Sequence, residues 1–199
     1  MDLQKRKAPV SRARKYSGRD LQYLNEDELD ALFRSIDSPR DLAIFEVAFH
    51  RGLRASEVGR LKVSGLRMTA RRLYIERLKG GNSGEYLLTD REVRALRKWI
   101  AIRGTGPGPL FVSRQGGRPV SRSRLDQLMK HYGARAGLPE SKRHFHCLRH
   151  SAGTLLGERA SAEEVQDHLG HRDIRSTMRY LKVRNKRRDE LGQRLAGQW

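Results

Sequence analysis

The sequence predicts a mainly α-helical domain with a small antiparallel β-sheet. Three observations carry that expectation. First, Asn25 with Glu28, Thr89 with Glu92 and Ser161 with Glu164 each place a capping side chain three residues before a glutamate, and apolar residues follow at helical spacing. Second, RLYIERLKGGNSGEYLL over residues 72–88 changes period and reads as two strands around a Gly-rich turn. Third, the most linker-like loop, GTGPGP at 104–109, is too short to separate domains clearly.

Taken in order, residues 1–20 carry Lys5, Arg6, Lys7, Arg12, Arg14, Lys15 and Arg19 with little apolar material to fold on. They are expected to form a flexible basic arm that orders on a polyanion. The folded domain is expected to begin at Leu21 and to run through the basic C-terminal tail to Trp199. Leu24 can staple onto Leu29, which predicts a helix near 26–35. Pro39 suits the start of a second helix, with Ile44, Val47 and Ala48 inward and an end near Gly52.

In RGLRASEVGRL, Ser56 is expected to cap a short helix from Glu57, with Arg54 just ahead of it. A guanidinium beside free backbone N–H groups favours an anion, and Glu57 is placed to orient Arg54 by a salt bridge. Lys79 stands at the mouth of the hairpin turn. Val93, Leu96 and Ile100 define a helix of about three turns. Leu110–Val112 is short and extended. Ser121 or Ser123 caps a helix carrying Leu125, Leu128, Met129 and Tyr132 as core, closed by Gly137 and Pro139.

Chemistry concentrates between His144 and Tyr180. His146, Arg149 and His150 stand at i, i+3 and i+4 and share one helix face. Val165 and Leu169 give the next helix its apolar stripe. LGH then sets His171 in a Gly-marked turn, and a short segment ends at Tyr180. Imidazoles, guanidinium and phenol supply a proton acceptor, an anion clamp and a nucleophile. Beyond Tyr180 the chain is strongly basic over Lys182–Arg188, and Leu191 and Leu195 are i, i+4 neighbours.

The 199 residues carry a net charge of +19, which favours a polyanionic partner. Most of the positive charge is arginine, whose planar fork matches phosphate oxygens. The single cysteine, Cys147, excludes an intrachain disulfide framework. No apolar run reaches the ~18 residues of a membrane span, and no apolar segment follows the basic start as in a signal peptide. HFHCLRH offers three imidazoles and a thiol. It lacks the glutamate of a zinc HExxH helix and the paired cysteines of a structural site, so no metal is expected. No Walker-A spacing is present and no cofactor is expected.

RGLRASEVGRL, the lysine of RLKGG, HFHCLRHS, DHLGH and STMRY together resemble the tyrosine recombinase, or phage integrase, catalytic domain, in the family's order and roughly its spacing. The resemblance covers about residues 21–185 and implies that family's catalytic-domain fold. Its wording is most similar to the short bacterial fimbrial phase-variation invertases, which lack a separate N-terminal DNA-clamping domain, and none is expected here. Two positions depart from the family pattern: Arg51-Gly52 stands where many members have Thr-Gly, and Lys182 where many have a histidine after the nucleophile.

The resemblance implies a site-specific DNA recombinase working through a 3′-phosphotyrosyl intermediate, in DNA inversion, integration or excision. Tyr180 would attack the scissile phosphate. Arg54 and Arg149 would bind the non-bridging oxygens, Lys79 would protonate the departing 5′-oxygen, and His146 would assist deprotonation of Tyr180. His171 would add a phosphate hydrogen bond, with Glu57 and His150 in support. Double-stranded DNA at specific sites is the implied partner, contacted by Lys5, Arg6, Lys7, Arg12, Arg14, Lys15, Lys182 and Arg184, with a homotetramer on synapsed DNA. The implied location is the cytoplasm of a bacterium, at the nucleoid. The alternative is a non-catalytic DNA-binding regulator with a decayed recombinase fold, which would form no denaturant-resistant adduct. A basic ribosomal or chromatin protein would leave the Arg–His–Tyr pattern unexplained.

Overall fold

The computed structural model describes residues 21–78, 81–113 and 117–196; within its last helix the side chains at 182–191 and 194 fall outside that description. The chain runs α1 (Glu26–Arg34), α2 (Pro39–His50), α3 (Ala55–Val58), β1 (Leu66–Arg67), β2 (Arg72–Ile75), β3 (Gly84–Leu87) and α4 (Asp90–Arg103). It continues through α5 (Arg122–Arg135), α6 (His146–Gly157), α7 (Ala162–Leu169) and α8 (Arg175–Ala196). The mainly helical class with one small antiparallel sheet is as the sequence predicts. The expected basic arm, Lys79 and the side chains of Lys182 and Arg184 lie outside the described residues.

The three capping boxes form as expected, at Asn25, Thr89 and Ser161. Each satisfies backbone donors that a helix start otherwise leaves unpaired. Ser121, rather than Ser123, caps α5 by accepting the Arg124 N–H. The third sheet strand is β1, a two-residue element too short to leave a periodic signal; Leu66 pairs with Leu73, and Leu73 in turn with Tyr86. Leu73 and Ile75 face the core while Tyr74 between them is exposed, the alternation that a pleated strand imposes.

The core is built around α2. Ala43, Ile44, Phe45, Val47 and Ala48 are fully buried, and the Phe45 ring meets Tyr132 and Phe145 edge-on at centroid distances of 5.9 and 5.6 Å. A helix surrounded on most sides must also satisfy its polar residues internally. Asp41 therefore accepts the Tyr132 hydroxyl at 2.9 Å and pairs with Arg40 at 2.7 Å. Glu46 accepts from Arg91 at 3.0 Å.

Two boundaries differ from expectation. α3 starts at Ala55 with Arg54 as its N-cap, because Glu57 turns back to accept the Arg54 backbone N–H at 2.9 Å; Ser56 is inside the helix rather than capping it. And the segment holding Tyr180 does not end there. Tyr180 lies in the second turn of α8, which continues through 22 residues. Residues 181–191 contain no Gly or Pro and several good helix formers, so nothing local stops the helix.

Gly52 shows how tightly α7 sits on the end of α2. Its φ is +55°, and a Cβ there would lie 2.2 Å from the Leu169 Cδ2. Gly52→Ala is expected to destabilise the fold by about 1–3 kcal/mol, combining left-handed strain with overpacking. A urea titration with unchanged slope and a lowered midpoint would establish the loss.

Candidate active site

α3, α6, the turn after α7 and the start of α8 bring the predicted chemistry together. Glu57 is at the centre, with its side chain fully buried. It accepts the Arg54 backbone N–H at 2.9 Å and the Arg54 Nη1 at 2.8 Å. Arg77 donates to it from 3.2 Å and the Leu78 backbone N–H from 3.3 Å, while Arg149 stands 3.8 Å away. Burial alone would raise the Glu57 carboxyl; the Arg54 backbone N–H, Arg77, the Arg54 side chain and Arg149 more than offset it and hold it below the ordinary carboxylate value.

Arg149 projects from α6 and is 1% exposed. It donates to the Gly52 carbonyl and, at 2.8 Å, to that of Leu169. Burial first, then the neighbouring Arg54 charge, push its pKa down to about 10, so it remains charged at neutral pH. Arg54 is the more accessible of the two, with 29% of its side chain exposed.

Helical spacing stacks the histidines as expected: the His146 and His150 rings meet edge-on at 4.3 Å. His150 Nδ1 lies 3.2 Å from the Tyr180 hydroxyl. His150, given only a supporting part from sequence, is therefore the imidazole hydrogen-bonded to the phenol, and His146 stands one ring further out. His171 stacks almost parallel to the Tyr180 ring at 6.2 Å and 5°. Its Nδ1 is 2.9 Å from Thr177 Oγ1, a bond that fixes the ring across the α7–α8 turn. Burial first, then neighbouring positive charge, depresses His150 and His171 to about 3; the exposed His146 is also lowered. All three are neutral at pH 7.

Tyr180 is 2% exposed. Its ring lies so close to α6 that a Cβ on Gly153 would approach its carbons to 2.7 Å, so only glycine fits there without a shift. Burial raises its pKa despite the opposing pull of Arg149, Arg179 and Arg54. Tyr180 is consequently a neutral phenol held between two neutral imidazoles and beside two guanidinium groups.

The residue that sequence reasoning missed is Arg77. Its side chain is fully buried against Glu57. The signal was present in the strand alternation: Leu73, Ile75 and Arg77 occupy successive inward positions, and a charged residue continuing an inward row needs a buried partner. Among the described residues no three His, Cys, Asp or Glu side chains converge as metal ligands.

The phage integrase family model matches residues 22–187. The type 1 fimbriae regulatory protein FimB of Escherichia coli strain K12 is 35% identical over 167 residues, covering 79% of this chain and 82% of that protein. FimE of the same strain is 34% identical over 169 residues, covering 80% and 84%. The tyrosine recombinase XerC of Erythrobacter litoralis is 32% identical over 170 residues, covering 80% of this chain and 55% of the relative. Among solved structures, the XerA recombinase superposes with a TM-score of 0.71 at 26% identity over 79% of this chain and 59% of that one. The XerH site-specific recombinase, in a post-cleavage complex with its palindromic difH substrate, gives 0.75 at 24% identity over 89% and 54%, a likeness of fold. The chain belongs to the phage integrase family, the tyrosine recombinases.

Proposed function

We propose that this chain cleaves and rejoins duplex DNA at specific sites, with Tyr180 forming a 3′-phosphotyrosyl bond. The observation that carries the reading is the convergence of Arg54, Arg149, His150 and His171 on one buried phenol. The phenol oxygen attacks phosphorus, the P–O5′ bond breaks, and the ester to Tyr180 keeps the bond energy for rejoining by a 5′-hydroxyl. ATP has no part in such an exchange. Arg54 and Arg149 serve as the anion clamp, stabilising negative charge that builds on the phosphate oxygens. His150 is neutral and in hydrogen-bond reach, so it is the acceptor for the phenol proton, with His146 as its neighbour in the relay. His171 donates to the phosphate, and Lys79 protonates the leaving 5′-oxygen.

Strand exchange needs protomers on two DNA sites, and a homotetramer on synapsed DNA is the assembly that follows. Such an exchange serves DNA inversion, integration or excision. The basic residues at 5–15, with Lys182 and Arg184, extend the phosphate contacts beyond the scissile position. No described helix is long and apolar enough to cross a membrane.

Suicide-substrate trapping on genomic DNA, followed by mapping of the captured ends, tests the activity and reveals the site. Wild-type protein should be recovered on the 3′ side of the break, with a free 5′-hydroxyl opposite. Tyr180→Phe should retain duplex binding and lose the adduct; recovery of a 3′ adduct mapped to another residue in that variant would remove the nucleophile assignment.

Binding should weaken steeply as salt is raised, because each phosphate neutralised releases counterions. With about six phosphate contacts the loss between 50 and 200 mM salt is on the order of 10³-fold. A nearly flat salt series would contradict the basic interface.

Acid should unfold the DNA-free protein early. Unfolded histidines take up protons near their ordinary value of 6.5, whereas the buried His150 and His171 of the folded protein do not until about 3. The unfolded state binds more protons throughout that window, so stability falls as pH drops from about 6.5 towards 4. Thermal melts across pH 4.5–7.5 should show Tm declining below about 6.5; a constant Tm over that interval would mean that these rings are not buried neutral.

A further inference from the structure

Arg77 and Arg149 do nearly the same structural job side by side. Arg149 joins the Gly52 carbonyl, where α2 gives way to α3, to the Leu169 carbonyl at the end of α7. Arg77 joins the preceding carbonyl on each side, donating to Arg51 O at 2.9 Å and to His168 O at 2.6 Å. Both guanidinium groups approach the same Glu57 oxygen, Oε2, at 3.2 Å for Arg77 and 3.8 Å for Arg149. The last carbonyls of a helix lack partners within it, and cations are favoured there. Two adjacent guanidinium groups thus finish α7 immediately before the turn to His171.

The fit around Arg77 extends to the backbone. Gly170 is left-handed at φ +61°, and a Cβ there would sit 2.8 Å from Arg77 Cγ and 2.9 Å from its Nε. On the other face the Tyr86 ring lies 5.1 Å from the Arg77 guanidinium carbon. The hairpin carrying Arg77 is itself held against α7, through Asn82 Nδ2 to Asp167 Oδ1 at 2.9 Å.

We propose that Arg77 is a positioning residue for phosphate activation, which holds Glu57 and the Gly170–His171 turn so that Arg54, Arg149 and His171 converge on one phosphate. The proposal rests on the recombinase reading above. Arg77 itself stays behind Glu57 and acts through it. Lysine replaces it only in part: one ammonium does not span Arg51 O, His168 O and the Glu57 carboxylate as the planar fork does.

The test uses full-length protein and a duplex carrying the genomic site captured by trapping. The scissile position is made either as the natural phosphate or as a methylphosphonate, whose neutral centre needs no anion clamp. Single-turnover strand cleavage is measured for wild type, Arg77→Gln and Arg77→Lys, with duplex binding and urea unfolding alongside. On phosphate, Arg77→Gln should slow cleavage by about 10²-fold, the scale of a slight misplacement of reacting groups. Duplex affinity should stay within about threefold of wild type. On methylphosphonate the defect relative to wild type should shrink by about tenfold or more, since the misplaced guanidinium groups matter less there. Arg77→Lys should fall between wild type and Arg77→Gln on phosphate.

Equal losses on both duplexes, unimpaired cleavage by Arg77→Gln, or absence of a cooperative unfolding transition in both variants would each overturn the proposal and leave Arg77 with a role in folding or none. Failure of the wild-type protein to cleave either duplex is a different result, and it would remove the recombinase reading itself.

Discussion

The buried Glu57 carboxylate is the interaction on which the site depends. Arg54, Arg77 and Arg149 all lie within 3.8 Å of its oxygens. Three guanidinium charges in one partly desolvated volume repel one another by several kcal/mol in total at an effective dielectric near 20. One carboxylate with short hydrogen bonds to two of them makes the cluster tolerable, and its own pKa stays low as a result. The balance is deliberately incomplete in a physical sense: three positive charges against one negative leave an excess of two. A phosphodiester, the proposed ligand, would offset one of them. Burial first, and then the Arg54 charge, lower the pKa of Arg149 in the free protein, and a ligand that supplies negative charge stabilises the folded state as it binds.

The proposed nucleophile follows the opposite logic. Tyr180 belongs to the small apolar cluster with Val165 and Leu169, and its ring is closed in by Gly153. Burial keeps the phenol protonated at rest. What the fold supplies is an acceptor already in place, and an imidazole can accept only when neutral. The same burial that raises the phenol lowers His150. Desolvation thus leaves both partners of the proposed proton transfer neutral, the phenol as donor and the imidazole as acceptor.

Much of this was legible in the sequence, for reasons that can be named residue by residue. The capping boxes at Asn25, Thr89 and Ser161 are local chemistry, complete within four residues, and all three formed. The His146–Arg149–His150 face needed only helical geometry. The Ser56 cap failed because Glu57 accepts the Arg54 N–H and the helix starts at Ala55, which puts Ser56 inside it; spacing alone does not decide between the two starts. α8 runs on past Tyr180, where a short segment was expected to end, because nothing in residues 181–191 breaks a helix. The order of the two histidines at the phenol depends on where α8 crosses α6, which is tertiary information. Arg77 was overlooked for a similar reason: its partners lie at residues 51, 57 and 168, and no local pattern joins them.

Arg77 also clarifies why a site assembled from so many segments holds together. The end of α2, the start of α3, the hairpin and the end of α7 are distant in sequence, and each brings unpaired backbone carbonyls or a charged side chain to the same place. An apolar plug could fill the volume but would leave the carbonyls of residues 51, 52, 168 and 169 without donors. A planar cation with several N–H groups satisfies carbonyls on both sides at once, and two such cations side by side satisfy all four. The cost is a concentration of positive charge, which Glu57 offsets in part. In an ordinary core that residual charge would be a defect. Under the proposed function a scissile phosphate answers that charge, so the groups that close the fold at the junction of α2 and α7 also serve the proposed reaction.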